Sequence, residues 1–429
     1  MSGNINTTRA AGVVLLASAL ALGAAACAPD SGGGGGDGGD VTLRFSFWGT
    51  NERADRMQQA IDIFEEDNPG ITVEPDFVDW SGYWDRLATG VAGGDVPDVF
   101  MQEDRYIGDY ARRNVLADLS GTVATDGIDS SLLASGEIDG GQYGIPTGSN
   151  VFSVIANPDL FEAAGVELPD DTTWTWQDYE DIADAITAGT PDGTYGTSDY
   201  SFSEVGFNVY ARQHGQALFG EDGGLGYDDE LLVEWFQRSL DLQDSGGQPP
   251  ADETVSLDLL DSPIAQGYAA MSLTWSAQLG QLSEASGSEL VLLKLPGESE
   301  LERPGMYFKP GMYVSQAAQS EHPEEASAFV DFFVNDPRVG EIFLSELGLP
   351  GNAAVREAIM PDLSETEQVA ADFVVDLADE IIDAPAPLPE GAGEAAEIMQ
   401  RINSQVLFGQ LSAEEGAAQF RTEVEAAIG

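Results

Sequence analysis

The feature that most constrains this chain is a change of hydrophobic period that repeats from Val41 onward. Val41, Leu43, Phe45 and Phe47 are spaced by two, which makes one face of a strand apolar. Ala54, Met57, Ile61 and Phe64 then share one helical stripe, closed by Asn68-Pro69-Gly70. Ile71, Val73 and Phe77 read as a second strand, Ser81 opens a helix through Leu87 and Val91, and Asp98-Val99-Phe100-Met101 is a short buried strand. This order predicts an open α/β sheet with crossover helices. Such sheets bind ligands beyond the carboxyl ends of their strands, so the residues that follow each strand are the candidates for a site.

A second α/β region follows Tyr143-Gly144-Ile145-Pro146-Thr147-Gly148-Ser149-Asn150. Residues 151–156 read as a strand, and Pro158 starts a short helix ending at Gly165. Helices are expected over 176–187 and 229–242, the latter stopped by Gly246-Gly247, while 202–220 reads as irregular. Strands are expected at 271–275, 289–295 and 312–315. A helix with Pro323 near its start carries Ala326, Phe329, Val330 and Phe333 on one stripe. The rest is helical, broken at residues 385–389.

Charge excludes some functions. Among 429 residues, 75 are acidic and 17 basic, for a net charge of −58, and a surface this negative repels nucleic-acid phosphate. Lys294 and Lys309 are the only lysines, which reads as a salt-adapted surface. Cys27 is the sole cysteine, so no intramolecular disulfide forms. One cysteine with two histidines gives no zinc set, and no metal or cofactor is expected.

That cysteine sits in a telling place. Residues 1–26 carry Arg9 as their only charge, then an apolar run from Ala10 to Leu22, then Gly23-Ala24-Ala25-Ala26 before Cys27. This is the pattern of a secretory signal, too short to span a bilayer, which needs about 20 residues. A glycine-rich tract to Asp40 follows; ten such residues reach about 17 Å as a flexible coil. The segment resembles a bacterial lipoprotein signal, with Ala24 where relatives usually have Leu. The resemblance implies a signal over 1–26, a lipidated Cys27 and a linker over 27–40.

Four further stretches resemble the extracellular solute-binding proteins of ABC importers, in particular the group similar to maltose- and oligosaccharide-binding proteins. They are Phe47-Trp48-Gly49-Thr50-Asn51-Glu52-Arg53; Gly93-Gly94-Asp95-Val96-Pro97-Asp98-Val99; the 143–150 stretch with Asn157-Pro158-Asp159-Leu160-Phe161; and His322-Pro323-Glu324-Glu325-Ala326 with Asn335-Asp336-Pro337. Where relatives often carry an Arg-Gly-Val-Pro-Ala-Asn-like turn, this chain has Leu347-Gly348-Leu349-Pro350-Gly351-Asn352, without the Arg. The resemblance implies two α/β lobes joined by hinge-crossing strands, with a ligand cleft between them. Lobe 1 would take 41–148 and 306–345, and lobe 2 would take 149–305 and 346–429. It further implies a non-catalytic, monomeric protein, lipid-anchored on the extracellular face of the membrane, that closes on a sugar or oligosaccharide and is read by permease subunits.

A sugar presents hydroxyls that want polar partners and C–H faces that want flat rings. Strand ends supply both kinds of residue: Trp48, Asn51 and Glu52 after the first strand; Trp80 and Tyr83 after the second; Asp104 after the third. Thr147 and Ser149 lie at the passage between lobes, Trp275 at a strand end of lobe 2, and Tyr307, Lys309 and Met312 near the return passage. Asp199 and Tyr200 are further possible contacts. Two other readings remain open. One is a secreted carbohydrate-active enzyme with paired carboxylates. The other is the same fold holding a cation such as a polyamine.

Overall fold

The computed structural model describes residues 40–254, 259–297, 305–381 and 383–429; the signal, Cys27 and most of the linker lie outside the described residues. Strand β1 (Val41–Trp48) leads to helix α1 (Asn51–Asp67), β2 (Ile71–Val78), α2 (Trp80–Gly93), β3 (Val99–Gln102) and α3 (Asp104–Arg112). Next come β4 (Ile145–Pro146) and the long β5 (Gly148–Ala156). Helix α4 (Trp176–Gly189), α5 (Glu204–Gln213), β6 (Ala217–Phe219), α6 (Asp229–Ser245), β7 (Met271–Trp275) and β8 (Val291–Leu293) follow. The last part holds β9 (Phe308–Pro310), β10 (Tyr313–Gln316), α7 (Pro323–Asn335), β11 (Leu349–Pro350), α8 (Glu365–Asp376), α9 (Ala395–Leu407) and α10 (Ala413–Ile428).

Two sheets divide the chain into two lobes. The first runs β2-β1-β3-β10-β4, with β1, β2 and β3 parallel and β10 and β4 antiparallel to their neighbours. The second is built on β5, whose residues 152–156 pair with β7 and whose residues 154–156 pair with β8. In the first lobe, Met57, Ala60, Ile61 and Phe64 of α1 are buried. Phe329 of α7 packs edge-on against Phe45 at 5.1 Å and Phe64 at 5.0 Å, which locks two helices to one face of β1.

Two local readings change. Asp79 caps α2 by accepting from the Gly82 N–H, so the helix begins at Trp80, one residue before the expected Ser81. The segment expected to be irregular over 202–220 contains α5, capped by Ser203. Residues 206 to 213 of α5 are all buried or half-buried, so the helix has no polar face to reveal its 3.6 period.

The lobes meet where the chain crosses three times. Residues 148–151 of β5 pair with β9 on one side and β11 on the other. Thr147 donates its N–H to the Met312 carbonyl at 3.0 Å, and its hydroxyl reaches the carbonyls of Met312 (3.2 Å) and Leu347 (3.0 Å). Three glycines let the backbones approach. A Cβ on Gly148 would lie 2.6 Å from the Gly348 carbonyl, and one on Gly311 would lie 2.3 Å from the Leu347 oxygen. Gly348 itself sits at φ +89°, a left-handed conformation that favours glycine. Gly311→Ala therefore costs about 1–3 kcal/mol from overpacking against rigid backbone. The expected readout is a lower urea midpoint; an unchanged midpoint removes the close crossing as a source of stability.

Candidate ligand-binding cleft

The parallel strands of the first sheet end together, and each hands its chain to a helix start at the same edge. β1 delivers Trp48, β2 leads to Trp80, and β3 delivers Gln102, Glu103 and Asp104. Trp48 packs against Trp80 at 5.0 Å, Tyr83 at 5.2 Å and Trp84 at 5.6 Å, and Trp84 meets Tyr106 at 4.0 Å. Within this cluster Trp80 is 39% exposed and Trp48 only 8%. Both line a shallow depression with Arg53, Asp79 and Glu346.

Tyr83 departs from the expectation that it faces a ligand. It is buried in the first lobe, and its hydroxyl donates to the Met101 carbonyl at 2.6 Å. Its place on one stripe with Leu87 explains this, because that stripe faces the sheet. Asp199 and Tyr200 also turn inward. Asp199 accepts from the Ser201 N–H and hydroxyl, the Ser239 hydroxyl and the Asn403 amide, and burial holds its carboxyl above the usual range. That network ties α9 to the second lobe.

A more enclosed cavity lies between the lobes. Asp104, Ile107 and Tyr313 come from the first lobe, Glu204, Asn208 and Phe219 from the second, and Tyr307 and Lys309 from the crossing strand β9 and its approach. The Lys309 ammonium lies 3.3 Å from both Glu103 Oε1 and Asp104 Oδ1. It also stands 5.3 Å from the centre of the Trp275 ring, so one cation links carboxylates of one lobe to an aromatic face of the other. Trp275 is held edge-on by Phe152 at 5.2 Å. Arg105 pairs with Glu103 Oε2 at 3.1 Å. Tyr307 is covered by the Arg212 guanidinium at 5.3 Å and takes a hydrogen bond with Asn208.

The electrostatics follow from burial. Burial and the adjacent Asp104 charge push Glu103 up to about 7. Asp104 is also buried, but Lys309, the hydrogen bond with Glu103 and Arg105 outweigh burial and hold it below the usual carboxylate range. Lys309 is raised, since Asp104 and Glu103 more than offset the cost of burying its charge. Glu204 is raised by burial, although Lys309 and Arg105 oppose that.

Of the residues expected at the site, Asp104 and Tyr307 line the cavity, and Trp275 joins it through Lys309. Trp48 and Trp80 form the neighbouring depression. Asn51 and Glu52 are exposed at the start of α1, where Glu52 pairs with Arg56 at 2.9 Å, and neither lines the cavity. Thr147, Ser149 and Met312 belong to the crossings. The Ser149 hydroxyl reaches the Leu349 carbonyl at 3.5 Å, and the Met312 side chain is buried. The sequence reading missed Glu204, Asn208 and residues 385–388. The cap Ser203 just before Glu204 was the one available signal for the first two.

An interlobe cavity with aromatic and carboxylate walls, reached through three hinge strands, defines a two-lobed ligand-binding protein. The chain matches the family described as "Bacterial extracellular solute-binding protein" over residues 49–337, and it belongs to that family, the capture components of ABC importers. It is similar to a family 1 extracellular solute-binding protein of Alicyclobacillus acidocaldarius, with 28% identity and a TM-score of 0.76 over 91% of this chain and 99% of the other. A periplasmic oligogalacturonide binding protein of Yersinia enterocolitica shares the fold at 20% identity, with a TM-score of 0.76 over 91% and 100% of the two chains. An uncharacterized lipoprotein of Streptomyces antibioticus is 25% identical over 338 residues, 74% of this chain and 72% of its own length. Among the described residues no helix is long and apolar enough to cross a membrane.

The raised Glu103 carboxyl makes stability depend on pH. In the folded chain it keeps a proton up to about pH 7, whereas the unfolded chain releases it near 4.5. The folded state therefore binds more protons in that window. This contribution is full below about 4.5 and lost as pH rises through about 7. The urea midpoint is expected to fall between pH 5 and 7.5, and to fall less in Glu103→Gln, where the raised carboxyls of Glu204, Asp199 and Glu180 still act in the same sense. Equal falls in both proteins remove Glu103 as the cause.

Proposed function

We propose that this protein is a lipid-anchored receptor that captures a neutral sugar or oligosaccharide by closing its lobes and presents it to the permease of an ABC importer. The observation that carries the reading is the meeting of ring-bearing residues, Tyr307, Phe219 and Tyr313, with the polar groups Asp104, Glu204 and Asn208 around one interlobe cavity, which Trp275 joins through Lys309. Rings cover the C–H faces of a sugar, and carboxylates and amides accept or donate to its hydroxyls. A lactose-binding protein of Rhizobium radiobacter is 27% identical over 199 residues, which supports the same ligand class. So does the shared fold of a Listeria monocytogenes protein in complex with cycloalternan.

In this reading the lobes are 41–148 with 306–345 and 149–305 with 346–429. The signal over 1–26 directs export, Cys27 carries the lipid, the linker to Asp40 frees the body to turn, and the protein works as a monomer at the extracellular face. Cys27→Ser is expected to shift the protein from the membrane fraction to the medium. Retention in the membrane fraction argues against the anchor.

A cationic ligand fits less well. Glu103 and Asp104 already hold Lys309 and Arg105, which leaves a single carboxylate, Glu204, beyond the two cations. The test is a thermal-shift panel of oligosaccharides and polyamines, because a ligand bound by the folded state alone raises its melting temperature. A shift with sugars, weakened at least about tenfold in affinity by Trp275→Ala, is expected. A shift with polyamines alone that vanishes with salt, or steady product release from a bound sugar, overturns the reading.

A further inference from the structure

We propose that the cleft is closed at one end, so that a saccharide enters by a chain terminus and cannot run through as along an open groove. The proposal rests on the sugar reading above and concerns which part of such a ligand is read. Its basis is the segment Asp383-Ala384-Pro385-Ala386-Pro387-Leu388-Pro389, which forms neither helix nor strand.

This strap is fastened to both lobes. On the second lobe, Arg212 donates from Nη2 to the Asp383 carbonyl at 3.3 Å and to its Oδ1 at 3.1 Å, with Nε on the Gly305 carbonyl at 2.8 Å. Pro389 lies beside Gly223, in the turn after β6; a Cβ there would stand 3.6 Å from the proline. On the first lobe, the Leu388 carbonyl passes so close to α3 that a Cβ on Gly108 would lie 3.1 Å away. Beyond the strap, Gly391 turns at φ +82°, with the Ala427 oxygen of α10 against its Cα. Gly393 then packs on the side-chain stem of Arg105.

Residues 385–388 therefore form a wall of the cavity alongside Ile107 of α3 and Phe219 of β6. Prolines 385, 387 and 389 fix their backbone angles and carry no N–H, so the wall is stiff and offers ring faces. A sugar ring can rest on such a wall, but the next unit of a chain cannot pass it. On this proposal the opposite end is the open one. The strand order β2-β1-β3-β10 runs from the cavity beside Tyr313 to Trp48 and the exposed Trp80, so a chain anchored near Asp104 and Tyr307 extends toward those tryptophans.

The experiment uses maltotriose, cellotriose, xylotriose and β-1,4-galactotriose by calorimetry. Each is tested free, with a p-nitrophenyl group on the reducing end, and with a benzylidene acetal on the non-reducing end. For the trisaccharide that binds, one blocked form is expected to lose about 100-fold in affinity or more while the other stays within about threefold of the free sugar. Both blocked forms binding like the free sugar, or both lost, overturns the proposal. Gly108→Val pushes on the Leu388 carbonyl, and Pro385→Gly with Pro387→Gly loosens the strap without touching α3. Recovery of the excluded form by at least about tenfold in either variant is expected. Unchanged exclusion in both overturns the strap as the stop. No binding of any trisaccharide in any form is a separate outcome: it overturns the sugar reading and this proposal with it.

Discussion

Backbone-on-backbone packing at the three crossings is the constraint on which the rest of this molecule depends. Gly148, Gly311 and Gly348 bring segments far apart in sequence to contact at distances no side chain tolerates. Because β5 pairs with β9 and β11 at that point, the crossings are ordered strands joined by ladder hydrogen bonds, with few free torsions. In the proposed closure the two lobes rotate about this narrow waist, and the residues just above it meet across the gap. Lys309 is one of them: it leaves β9 and reaches carboxylates of one lobe and the indole of the other.

Much of this was legible in the sequence, for physical reasons that differ by element. The first sheet announced itself because β1 alternates and α1 carries one buried stripe, so each period has a single cause. Trp275, Asp104 and Tyr307 could be named because they stand at strand ends or beside a crossing, where backbone direction fixes the place of a side chain. α5 stayed hidden because a helix buried almost all round shows no period. Glu204 and Asn208 were hidden with it. Tyr83 misled for the opposite reason, since a tyrosine near a strand end looks the same in sequence whether its hydroxyl meets a ligand or a carbonyl one strand away.

Residues 385–388 were invisible as part of a site because they are contributed from more than 270 positions beyond the β3 edge they face. Their sequence says only that a helix stops there. What sets them against the cleft is long-range packing, through Arg212 on one side and the glycine notch in α3 on the other.

The excess of carboxylates takes on a different meaning beside the ion cluster of the cleft. Pairs on the open surface, such as Arg44 with Asp95, lose strength as salt rises. Lys309 and its two carboxylates stand 3.3 Å apart and are largely shielded by protein, close to the screening length of about 3 Å even in molar salt. Salt thus weakens the outer pairs most, while the pairing around Lys309 keeps more of its strength.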